Sequence, residues 1–162
     1  MNRRLLSIYL NDHMAAATGA VALTGRVAAS NRGTPYGQSL AELGAEIEAD
    51  RASLALIMER IGVGTDRFKS ATAWTAEKFG RLKLNGQITG YSPLSRLEEI
   101  EILTLGVTGK LLLWEALREA SPAGVPESEL AELIDRARSQ RRRLDRLRRR
   151  AAGDALGLET GT

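Results

Sequence analysis

Apolar residues recur at helical spacing along the first sixty positions. Leu6, Tyr9, His13, Ala16, Ala20, Leu23 and Val27 form one seam of alternating three- and four-residue steps. Leu40, Leu43, Ile47, Asp50, Leu54, Ile57 and Ile61 form a second. Such spacing places each set on one face of a helix. A third seam runs through Leu97, Ile100, Leu103, Val107, Leu111, Trp114 and Leu117, and a fourth through Leu133, Ala137, Gln140, Leu144, Leu147 and Ala151. Each of the first two seams carries one titratable residue, His13 or Asp50, where an apolar one is expected. His13 is the only histidine of the chain.

Start and stop signals give the boundaries. The first helix is predicted over 3–30, with Gly33 beyond its end. The second covers 35–61, with Thr34 as its cap and Gly62 placed for a left-handed stop. A shorter helix is predicted over 66–84, followed by an irregular stretch at 85–92 that begins with the turn signal Asn85-Gly86. Ser92-Pro93 starts a helix over 93–120. Ser121-Pro122 breaks it, and a last helix covers 126–152, leaving 153–162 as a loose tail. The domain is therefore 1–152, all-α, with four long helices of roughly 41 Å each.

Two short connections and one long one, over 62–92, pair the helices one with two and three with four. In helix lengths, connection lengths and central polar seam residues the chain resembles the ferritin-like superfamily. The resemblance implies a bundle whose 66–84 helix lies in a crossover, with a di-iron site at its middle. The rival architecture is an up-down-up-down bundle in which 66–84 is a full member and the arginine-rich helix packs outside. The family's metal site needs Glu-x-x-His on two helices, and that motif is absent from this sequence. The chain thus resembles a degenerate member without the di-iron ligands, with no catalytic residue, metal or cofactor expected.

With helices at equal height, His13, Asp50 and Gln140 fall within about 8 Å of one another along the axis. They are the candidate ligand-binding residues, for a metal held weakly or for a small molecule. A buried carboxylate needs a partner: His13, Gln140 or Lys110 for Asp50 in the ferritin-like layout, Lys78 in the rival one. The plainer expectation is a polar set that fixes helix register. Small residues at Ala15 to Ala20, with Gly106 and Gly109, are expected to permit close helix approach. A ligand cavity over them, or homodimerisation through the small patch, is the alternative. Trp114 is placed in the core, and Trp74 is expected to face another subunit.

Composition adds limits. The chain has 162 residues, 43% hydrophobic and 27% charged, which suits one globular domain. With no cysteine, disulfides and thiolate metal sites are excluded, and a cytoplasmic location is expected. The apolar run after Arg3-Arg4 stops at Asn11-Asp12, too early for a secretory signal. The stretch 100–117 holds Glu101 and Lys110 and is unsuited to a bilayer. Nine arginines and one acid in 136–150 give that window +8, against −5 elsewhere. The plainer expectation is a solvated basic helix end; beyond it, Arg141, Arg142, Arg143, Arg146 and Arg149 are candidates for contacting an acidic protein or subunit or, less favoured, nucleic acid. No aromatic side chain is interleaved for base stacking. The leading functional expectation is a non-enzymatic interaction or structural protein that forms a homodimer or larger assembly.

Overall fold

A computed structural model describes residues 2–64 and 91–157. Among them are four helices and no strand: α1 (Arg3–Ser30), α2 (Gly37–Arg60), α3 (Pro93–Ala120) and α4 (Glu127–Leu156). The predicted helix over 66–84, Trp74, Lys78 and most of the irregular stretch lie outside the described residues. No described helix is long and apolar enough to cross a membrane.

Local chemistry sets the helix ends. Ser92 caps α3 by accepting a hydrogen bond from Ser95 N at 3.0 Å, and Pro93 needs no donor there. Gly62, at φ 72°, stops α2. Val63 N–H then donates to Met58 O and Gly62 N–H to Glu59 O, closing the orphan carbonyls. Gly37 lets α2 start close against the end of α1, because a Cβ there would lie 2.5 Å from Asn31 O. Thr34 is not the N-cap. Its hydroxyl donates to Asn31 O and accepts from Tyr36 N–H, so it braces the turn, and α2 begins two residues later than expected. The last helix continues past Ala152 to Leu156. Asp154 holds that added turn by accepting from the Tyr36 hydroxyl at 2.6 Å and pairing with Arg96.

Contacts at the helix ends give the chain directions. The Arg3 guanidinium donates to Ile61 O, and Arg60 pairs with Glu129, so α1 begins where α2 ends and α4 begins. At the far end Asn31 Nδ2 donates to the Tyr91 hydroxyl and its Oδ1 accepts from Arg96 Nε. Hence α1 and α4 run one way, α2 and α3 the other. The connection between α2 and α3 joins opposite ends of the bundle.

The seams of α2 and α3 are buried at every position named above. In α1 the near half departs from expectation. Tyr9 is exposed, while Leu10 is fully buried and packs with Leu54, Ile57 and Trp114. The apolar face there follows Leu6, Leu10 and Met14, because a straight helix drifts against a repeat of alternating threes and fours. The core falls into two clusters. The near one holds Leu10, Ile57, Met58, Trp114 and Ile134. The far one holds Val27, Leu40, Leu43, Ile100 and Leu144. Between them lies a polar layer.

Candidate functional site

Asp50 sits at the middle of the α2 seam with its side chain wholly buried. Gln140, on α4, faces it from the same height and is also fully buried. Gln140 Nε2 donates to Asp50 Oδ2 at 3.0 Å. The Lys110 ammonium, reaching in from α3, donates to that same oxygen and to Gln140 Oε1, the latter at 2.6 Å. Arg136, one turn before Gln140 on α4, donates through Nε to Asp50 Oδ1 at 2.6 Å. Three helices thus converge on one carboxylate. Burial pushes the Lys110 ammonium below the usual lysine range, against the pull of Asp50. Two cations face one carboxylate, so the layer carries one positive charge in excess.

Of the three candidate ligands, the structure joins Asp50 and Gln140 and leaves His13 apart. Among the described residues His13 makes no hydrogen bond. Its ring meets Tyr9 edge-on, with centroids 4.6 Å apart. Burial lowers its pKa from the ordinary 6.5, and neighbouring Asp12 opposes the shift. Thr104 and Thr108 do not join the layer, because their hydroxyls donate back to Ile100 O and Thr104 O. Lys110 was foreseeable as a partner for Asp50. Arg136 was not: it opens an arginine run and only its four-residue offset from Gln140 marks it as facing inward.

His13, Asp50 and Lys110 share the wall of a pocket of about 370 Å³. It lies over the small residues of α1 (Ala16, Ala17, Gly19, Ala20) and α3 (Gly106, Gly109). At Gly106 and at Gly109 an added Cβ would meet nothing within 4 Å. These glycines therefore do not serve close helix approach, as expected from their spacing. They leave space. Trp114 also lines the pocket, is 1% exposed, and holds a buried indole N–H with no acceptor. Such an unpaired donor is uncommon in native interiors. Arg51, at the same wall, is tied to Glu48 at 2.5 Å.

The arginine-rich stretch is largely engaged with the bundle's own acids. Arg143 pairs with Glu46 and with Glu42 at 3.5 Å, and Arg138 with Glu115 at 3.0 Å. Arg148 and Arg149 both hold Asp145. The Arg150 guanidinium stands 5.3 Å over the Tyr36 ring. Arg141, Arg142 and Arg146 are exposed. Among the described residues no three His, Asp or Glu side chains gather as metal ligands would.

No protein-family model, curated protein or solved structure matches the chain.

Proposed function

We propose that this chain is a non-enzymatic bundle of ferritin-like connectivity whose central pocket binds a small, mainly apolar molecule. The pocket itself carries the reading. Its volume falls at the lower end of the range of small-molecule sites, which commonly lie between the helices of bundles. Two mid-helix glycines keep it open, although each costs up to about 1 kcal/mol of helix stability relative to alanine. The ferritin-like reading is supported by the directions of the four helices and by the long connection between α2 and α3. Binding rather than catalysis is supported by the polar layer, where Asp50 and Gln140 are bonded to one another and to Lys110. Among the described residues, no carboxylate is hydrogen-bonded to His13.

Filling the pocket tests this reading. A neutral apolar fluorophore, phenylnaphthylamine, is expected to bind the wild-type protein with stoichiometry one and to lose binding in Gly109→Leu. Equal binding by a folded Gly109→Leu variant, or none by the wild type, contradicts the reading.

Self-association is a second reading, favoured by Leu105 and Leu112. They lie seven residues apart on one stripe of α3 and are 72% and 57% exposed. Light scattering would then show a dimer or larger assembly that Leu105→Lys with Leu112→Lys dissociates. Nucleic-acid binding has less support, because Arg143 and Arg149 are held by carboxylates of the same chain.

A further inference from the structure

The pocket is polarised along the bundle axis. Toward the far end its wall is Ala20, Leu23, Ile47, Leu103, Gly106 and Val107, with no polar side chain among them. Every polar side chain in the described wall lies toward the other half: His13, Asp50, Arg51, Lys110 and Trp114. On α3 the wall runs from Ile102 to Trp114, which is about 18 Å of helix rise. An elongated molecule with one apolar and one polar end suits such a wall.

The polar half also has a sign. Asp50 accepts from Lys110, Arg136 and Gln140, so both its oxygens are engaged. Gln140 Oε1 is engaged by Lys110. Arg51 and Glu48 neutralise each other, and Glu46 is held by Arg143, which also meets the exposed Glu42. Apart from His13, which offers one donor and one acceptor nitrogen, what remains is donor capacity. The Lys110 ammonium has three protons, and two go to Asp50 and Gln140. The Trp114 indole N–H has no acceptor. Arg136 and Lys110 together exceed Asp50 by one positive charge. A ligand group that accepts hydrogen bonds and carries one negative charge would satisfy all three conditions. A second cation would be repelled, and a neutral donor would find one imidazole nitrogen of His13 as the acceptor left among the described residues of the wall.

Resting on the reading of the pocket as a small-molecule site, we infer that its ligand is a medium-chain carboxylate or a molecule of that chemistry. Its anionic head lies by Lys110 and Trp114, and its apolar tail runs between α1 and α3 toward Leu23 and Leu103. Lys110 is the selecting residue, and the Asp50–Gln140 pair positions it.

Decanoate, decanol and decylammonium separate head from tail. Calorimetric titration into the full chain is expected to show decanoate binding about tenfold tighter than decanol, the size of one charge-assisted hydrogen bond, and no binding of decylammonium. Lys110→Gln should abolish the preference for decanoate and leave decanol bound. Trp114→Phe keeps the ring, removes the N–H, and should weaken decanoate several-fold with decanol unchanged. That variant serves if Lys110→Gln does not fold. Decanol binding as tightly as decanoate to the wild type, or decylammonium binding as well as either, overturns the carboxylate inference and leaves the pocket reading standing. Failure of all three to bind overturns both.

Discussion

The α2–α4 side of the bundle and the α1–α3 side are built differently. Between α2 and α4, ion pairs run from one end to the other: Arg60–Glu129, Arg136–Asp50 and Arg143–Glu46, finished by the Tyr36–Asp154 hydrogen bond. Apolar layers fill the levels between them. Between α1 and α3 the middle is given over to alanine and glycine, and a pocket of about 370 Å³ stands where larger side chains would meet. One side specifies the fold, and the other leaves room. Among the described residues, the gap is the part of the bundle that helix packing does not account for.

The polar layer belongs to both sides, and breaking it should give the largest effect. Asp50→Ala leaves Lys110 buried without its carboxylate and is expected to cost about 3–5 kcal/mol in urea unfolding. Replacing the set together, with Asp50→Leu, Lys110→Met and Gln140→Leu, should recover most of that loss, since apolar residues can substitute for a buried ion pair. A triple variant as unstable as the single one would mean that the layer does more than satisfy itself.

Glycines sharpen the contrast. Gly37→Ala forces a Cβ against Asn31 O, and should destabilise by about 1–3 kcal/mol. Gly106→Ala, with open space around its Cβ, should instead stabilise by up to about 1 kcal/mol through helix propensity. Thermal denaturation of the two variants reads the difference in sign. A loss at Gly106 comparable to that at Gly37 would show that α1 and α3 are packed more tightly than described.

The smallest effect concerns His13. Its folded-state pKa lies below the ordinary 6.5 because burial disfavours the charged ring. The unfolded chain therefore binds the proton more readily. Stability should be full above about pH 6.5 and fall as pH drops through the lowered value. His13→Gln should flatten that part of the pH–stability curve. An unchanged slope between pH 7 and 5 would assign the acid sensitivity to other groups.

The sequence made the filled side of this comparison legible and the open side ambiguous. Asp50 and Gln140 could be grouped, together with His13, from the seams and equal helix heights, but the choice of Asp50's partner among His13, Gln140, Lys110 and Lys78 stayed open, because it depends on which helices are neighbours. The ends of α2 and α3 followed from Gly62 and Ser92-Pro93, where local chemistry decides. Gly106 and Gly109 could not be read, since the same spacing serves a tight crossing or a void, and only the neighbouring helix decides between them. Arg136 was hidden for a similar reason: in a stretch of nine arginines, nothing in residue type marks the one that turns inward. The end of α4 was placed early because Asp154 is held by Tyr36 and Arg96, which lie far away in sequence. The Tyr9–Leu10 exchange came from helical drift, which a fixed three-four repeat does not follow.

The central claim is that the space between α1 and α3 is a binding site. Its most direct test is a calorimetric titration of decanol into the wild-type protein and into Gly106→Leu. The account predicts one saturable site in the wild type and none in the variant, which should be folded and at least as stable. Saturable binding of equal affinity in both proteins would place the site elsewhere and contradict it.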